Sequence, residues 1–342
     1  MSGSVLNPPH SSLRERFSPG FLLIVACCAL GIMLWRADRT YAIGLHDLYP
    51  LYYGARAWLH SGNPYDLASV APLRDQQHGI FLTGNAYPLP AILLVLPLSF
   101  LPAKVAAVIW LGVITVGLLL MLRLANISGW FLLYWPLLEA VRLEQFAAFV
   151  VLCQIAALWA FRERRPWLLS IACVLAMTKP TQSIFFVITL LVLSRCWKQP
   201  LLVAGLIWGG SVLIAPQWPM QWLAGLRHYA EISNHPHNWA LGLFAIPLLL
   251  LGNPLGASTV LPYLFFSLPV LSPYPAAALP LGVAGDRRAV WLVPLSYLWW
   301  LLIQYVDQAT ATAIALIVPI VLFTAFRRMR RCATGNESRA PA

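Results

Sequence analysis

The sequence predicts an all-helical, polytopic integral membrane protein, and three observations carry that prediction. Of its 342 residues 60% are hydrophobic and only 10% are charged, where a water-soluble domain averages about 25% charged. Mean hydropathy is +0.72 over the whole chain. Apolar runs recur along the whole length, divided by short stretches rich in Pro, Gly and basic residues. At about 20 apolar residues per crossing, the length accommodates roughly 10–12 transmembrane helices with short loops.

The apolar runs fall at 20–36, 88–102, 105–122, 145–161, 166–178, 181–194, 200–215, 239–252, 255–270, 274–284, 289–303 and 309–326. Several are shorter than a full crossing and require tilt or local thinning of the bilayer. The first follows a polar stretch, Met1 to Gly20, that carries Arg14 and Arg16. No small-x-small cleavage site follows it, and Trp35-Arg36 closes it, so it reads as an uncleaved first span and not as a signal peptide. The organisation expected is a cytoplasmic tail 1–19, a membrane domain 20–326 and a basic cytoplasmic tail 327–342. The six cysteines sit in apolar runs or beside basic clusters, without metal-ligand spacing, so neither disulfides nor a zinc site is expected.

The net charge of +11 does not indicate nucleic acid, because the cations are placed as topology signals. Arg14/Arg16, Lys104, Arg162-Glu163-Arg164-Arg165, Arg195/Lys198, Arg287-Arg288 and Arg327-Arg328-Met329-Arg330-Arg331 fall at every second loop. The positive-inside rule puts these, and both termini, in the cytoplasm. Residues 129–143 are apolar enough to insert, yet a full crossing there would put 162–165 outside; they read as a re-entrant or broken helix. The costly polar residues then collect on the outer side: loop 37–87, Arg142/Glu144/Gln145, Lys179, loop 216–238 and Asp307. A one-sided collection of ionisable groups beside broken helices marks a site.

In the first outer loop, Leu48, Leu51, Tyr52, Ala55, Trp58 and Leu59 recur at helical spacing. This predicts an amphipathic helix in the interface plane, with Arg56 and His60 on its polar face, ended by Ser61-Gly62-Asn63-Pro64. Asp47 stands at its start, where a carboxylate caps free N–H groups; a cap and a catalytic role are not exclusive. Tyr49, Tyr52 and Tyr53 suit interfacial anchoring, and Asp66 suits a turn. The second outer loop carries His228, Glu231, His235 and His237; His235-Pro-His237 could suggest a metal, but two such residues with no matched partner pair are a weak signal, and loop residues are the commoner reading.

The loop resembles membrane glycosyltransferases of family 87, in the GT-C superfamily. Four pieces carry the resemblance, in order. They are Asp47-Leu48-Tyr49 with Tyr53-Gly54-Ala55-Arg56-Ala57; Gly62-Asn63-Pro64-Tyr65-Asp66; Tyr87-Pro88-Leu89-Pro90; and Glu144-Gln145-Phe146 followed by Thr178-Lys179-Pro180-Thr181. A fainter echo lies at Ser272-Pro273-Tyr274. Two departures stand out: Glu144 replaces a Gly usual in the family, and the segment after Ser272 has neither the Trp nor the His usual there.

The resemblance implies a GT-C-like helical bundle that moves a hexose, mannose by default, from a polyprenyl-phosphate carrier to a lipid or glycan acceptor at the outer face of the cell membrane. Such a displacement needs a base for the acceptor hydroxyl and cations for the departing phosphate. Asp47 matches the family's essential carboxylate. Lys179 is the leading phosphate ligand, against the alternative that it snorkels to the interface. Arg56 and Arg142 are further clamps, and Glu144 and Gln145 candidates for sugar hydroxyls or for pairing with Arg142. Tyr52, Tyr65 and His237 complete the binding candidates. The donor is a substrate, and no divalent metal is predicted. Two other classes stay open: a transporter or flippase, since broken helices with buried charges also mark transporters, and an inactive relative acting as a scaffold.

Overall fold

The computed structural model describes residues 48–60, 62–70, 85–233, 238–266, 268, 274–283 and 286–333. All of these belong to one unit spanning 44–342. The described residues form helices joined by short turns, with no strand among them. The run expected at 20–36, and with it Asp47, lies outside the described residues, as do His235 and His237.

Among the described residues most of the apolar runs become helices close to where the sequence places them, with 274–282 a 3-10 segment. Ala103–Leu124, 22 residues, and Gln308–Arg330, 23 residues, are long and apolar enough to cross a membrane. At 1.5 Å per residue each exceeds the roughly 30 Å hydrocarbon core. Lys198–Ile214 and Trp218–Tyr229 qualify only as a pair, bent by 92° at the break between them. Shorter apolar helices are Leu89–Phe100, Phe146–Arg162, Pro166–Ala176, Pro180–Ser194, Trp239–Leu250 and Arg288–Leu302. Ala103–Leu124 buries Ala106, Ala107, Trp110, Ile114, Leu118 and Leu122, and leaves Val113, Val116 and Leu120 on its outer surface. An outward stripe as apolar as the inward one is the surface expected of a helix facing lipid.

Phe146–Arg162 is the central helix; it packs on Ala103–Leu124, Pro166–Ala176 and Pro180–Ser194. Proline opens the helices that follow, at Pro166 and Pro180, where a missing N–H costs nothing. Left-handed residues follow the ends of the helices at 103–124, 135–142 and 146–162: Asn126, Glu144 and Arg164 all have φ between +52° and +57°. In each case the next N–H reaches back to the last turn, as from Ile127 to Leu122, Gln145 to Ala140 and Arg165 to Ala160.

Residues 129–142 are broken, as the sequence anticipates. A 3-10 turn, Gly129–Leu133, meets the helix Trp135–Arg142 at extended Tyr134. The Ser296 hydroxyl accepts from the Trp135 N–H at 2.9 Å, and the Tyr297 hydroxyl donates to the Leu133 carbonyl at 2.9 Å. These side chains satisfy backbone groups that a break leaves open, the condition for irregular backbone at membrane depth.

The first-loop helix is Tyr49–Leu59, and here the structure corrects the expectation of an interfacial helix with its apolar face in the headgroups. Leu48, Leu51, Tyr52 and Ala55 are fully buried, and the helix packs on Leu89–Val95 and Leu96–Phe100. Tyr49 and Tyr53 are buried too, their rings 4.6 Å apart, so these tyrosines are core residues and not interfacial anchors.

Candidate functional site

The chain from Asn85 to Pro88 is the point on which distant segments converge. Asn85 is buried and divides its amide between two backbone groups: Nδ2 donates to the Pro50 carbonyl at 2.8 Å, and Oδ1 accepts from the Tyr87 N–H at 3.1 Å. The Trp222 indole donates to the Ala86 carbonyl at 2.9 Å. The Tyr65 hydroxyl donates to the Tyr87 carbonyl at 3.1 Å. The Tyr87 ring meets that of Phe146 edge-on at 5.5 Å, and Trp110 stacks on Phe146 at 5.8 Å. Tyr87 is thereby fixed at both backbone and ring while its side chain keeps partial exposure.

Lys179 comes to this ring. Its ammonium lies 5.6 Å from the centre of the Tyr87 ring and 5.1 Å from that of Tyr274. Two aromatic faces compensate part of the cost of holding a cation here. Lys179 is the residue before Pro180–Ser194, at the break after Pro166–Ala176. The break is closed internally, since the Ser183 hydroxyl donates to the Ala176 carbonyl at 2.7 Å and that of Thr178 to Leu175 at 2.5 Å. Phe146–Arg162 and Pro180–Ser194 are the outer members of an up-down-up triplet, so both start at the same end of the molecule. Both positive dipole ends therefore add to the cation's field.

Glu144 and Gln145 are buried at the start of the Phe146 helix. Glu144 has φ +54°, a conformation glycine adopts freely and a glutamate only at a cost of roughly 1–2 kcal/mol. Gln145 holds the N-cap position without a side-chain capping bond. Arg142 forms a two-point pair with Glu139, with Nε 2.8 Å from Oε2 and Nη2 2.7 Å from Oε1. Besides the pairing weighed at Glu144 and Gln145, the helical i,i+3 spacing gives Arg142 a partner in Glu139, which the sequence reading passed over.

The remaining candidates divide. Tyr65 is in place: its N–H bonds to Asn63 Oδ1 at 3.0 Å, and burial pushes its hydroxyl well above the usual phenol range, so it stays a neutral donor. Tyr52 is fully buried with its hydroxyl on the Leu101 carbonyl at 2.6 Å, and serves packing. Arg56 lies over the Tyr52 ring at 5.9 Å, half-exposed. Asp66 caps the short helix Leu67–Val70, accepting from Ala68 and Ser69, each at 3.2 Å. Asp307 caps Gln308–Thr312, and hydrogen bonds from Thr310 hold its carboxyl below the usual range. Asp47 and His237 are outside the described residues. Among the described residues no three His, Cys, Asp or Glu side chains converge as a metal site requires.

The sequence reading missed Asn85, Tyr87 and Trp222 as site-building residues. Tyr87 and Tyr274 were visible in the motifs, but nothing local marks Asn85 as a bridge. No protein-family profile, curated protein or solved structure matches the chain.

Proposed function

We propose that the chain is a membrane glycosyltransferase of GT-C type, a bundle of roughly 10–12 transmembrane helices with both termini in the cytoplasm and its site at the outer face of the cell membrane. It takes a hexose, mannose by default, from a polyprenyl-phosphate donor and gives it to a lipid or glycan hydroxyl. The observation that carries this is Lys179 between the Tyr87 and Tyr274 rings. It joins three of the segments on which the family resemblance rests, separated in sequence by about a hundred residues each way. A fixed cation at the positive ends of two helices suits a departing lipid phosphate.

The acceptor oxygen attacks the anomeric carbon as the bond from that carbon to the phosphate oxygen breaks. The phosphate leaves with the electron pair, and its charge is met by Lys179. The acceptor proton passes to a carboxylate, the role the resemblance gives to Asp47. One displacement inverts the anomeric centre. Glu144, Gln145 and Tyr65 stand nearby in the fold as groups for sugar hydroxyls, while the Arg142–Glu139 pair braces the helix before them.

A second reading, a transporter, draws on the break at Tyr134 and the bent pair at 198–229. One experiment separates the two. Purified protein in proteoliposomes is given radiolabelled polyprenyl-phospho-mannose and a mixed lipid extract. New labelled glycolipid is expected, lowered by about 10²-fold or more in Lys179→Met and by less in Lys179→Arg. Asp47→Asn run alongside tests the base. Wild-type protein that relocates donor across the bilayer and yields no product would overturn the transferase assignment.

A further inference from the structure

The helix Trp218–Ser233 occupies what the sequence suggested was an outer loop. It follows Lys198–Ile214 across the 92° bend, so the two helices stand nearly at right angles. Its outward residues are Met220, Leu223, Ala224, Arg227, His228 and Glu231, at the three- and four-residue spacing of a single helical face. That face changes character along its length. Met220, 72% exposed, Leu223 and Ala224 are apolar. Arg227, His228 and Glu231 ionise, and His228 Nδ1 lies 3.9 Å from the Glu231 carboxylate. Apolar exposure continues backward into Leu213 and Ile214 of the preceding helix.

The inner side is held by the protein. Trp208, Trp218 and Trp222 form a cluster at the bend, with ring centres 5.9 to 6.5 Å apart. Trp222 is bonded to Ala86, and Gly225 lets the helix approach so closely that a Cβ there would lie 2.8 Å from the Asn85 carbonyl oxygen. We propose that this helix rests on the bilayer, with the edge of the hydrocarbon crossing its outer face between Ala224 and Arg227 and lipid covering Met220 and Leu223. A second crossing would carry Arg227, His228 and Glu231 into hydrocarbon, where ionisable groups are costly. A helix standing in water would leave Met220, Leu223, Leu213 and Ile214 bare as one patch. Tryptophans at the bend belong at the boundary, where an apolar ring and a polar N–H are both served. The inference needs only a membrane protein and holds whether or not sugar is transferred.

Hydroxyl-radical footprinting tests it on the unaltered chain in phosphatidylcholine nanodiscs, read by mass spectrometry. Met220 is expected to lose its oxidation although the protein leaves it open. His228 is oxidised, as is Met329, a second exposed methionine in the basic C-terminal helix. Denatured chain supplies the intrinsic reactivity of each. Met220 oxidised as readily as Met329 would put the face in water and overturn the proposal. Protection of His228 equal to that of Met220 would overturn it too, by placing the helix wholly within the membrane.

Discussion

Asn85 shows how a single amide organises the candidate site. It ties the first-loop helix, through Pro50, to the backbone that presents Tyr87. Gly54 faces it, and a Cβ there would run into the amide. Asn85→Ala leaves a part-buried carbonyl and a part-buried N–H without this partner, at about 0.5–1.5 kcal/mol each. A lower thermal midpoint in detergent is expected, with a fall in any transfer activity beyond that of an equally destabilised variant elsewhere; Asn85→Asp, which keeps the acceptor, should preserve more of both. An unchanged midpoint for Asn85→Ala would show that the bridge is idle. Lys179 was legible from the sequence because a lysine beside a helix-breaking proline in an apolar stretch is costly enough to demand a reason. Asn85 was not, since an Asn after Gly before a Pro-rich run reads as turn chemistry, and its partner lies 35 residues away. Tyr52 was misplaced for the converse reason: a tyrosine at helical spacing in an outer loop looks interfacial until another helix covers it.

At the scale of elements, the apolar runs were legible because bilayer-sized blocks of apolar sequence have few alternatives. The break in 129–142 was legible from a clash between hydropathy and charge placement. Trp218–Ser233 was not, because its mixed face has the composition of a loop. Nor did the sequence show that 274–282 would be a 3-10 segment packed on a neighbouring helix. That contact depends on two glycines: a Cβ on Gly282 would stand 2.5 Å from the backbone of Gly256 in Pro254–Val260. Small residues permit this approach between membrane helices. Gly282→Ala must push the segments apart, at about 1–3 kcal/mol. Its thermal midpoint should drop, whereas Gly112→Ala, where the added carbon meets nothing within 4 Å, should leave it unchanged. Equal midpoints for the two variants would deny the contact.

Three of the described helices carry an arginine at their closing end. Ala103–Leu124, Phe146–Arg162 and Pro180–Ser194 finish in or beside Arg123, Arg162 and Arg195. Arg162 donates to the Ala125 carbonyl at 3.0 Å, and Arg328 donates to that of Leu250. Cations at these C-terminal helix ends complement the dipoles, whereas Lys104, expected on the cytoplasmic side with Arg162, opens Ala103–Leu124 at the end opposite the Arg162–Ala125 bond and departs from the positive-inside placement. Lys179 lies at the opposite end of the central triplet from Arg162 and Arg195. In proteoliposomes of known orientation, a membrane-impermeant maleimide should reach Arg164→Cys from the cytoplasmic side only and Ala68→Cys from the outer side only. Labelling of both from one side would dismantle this arrangement.

The break at Tyr134 also constrains biogenesis. Trp135 waits for Ser296, 161 residues later, and Ala86 for Trp222, 136 residues later. Synthesis delivers the N-terminal part first. A nascent chain therefore carries opened backbone through most of its translation, and bare N–H and C=O groups are expensive in lipid. The early helices must stay close to water or to the insertion machinery until the last third arrives, and a chain cut short before Ser296 leaves that backbone without its closing partners.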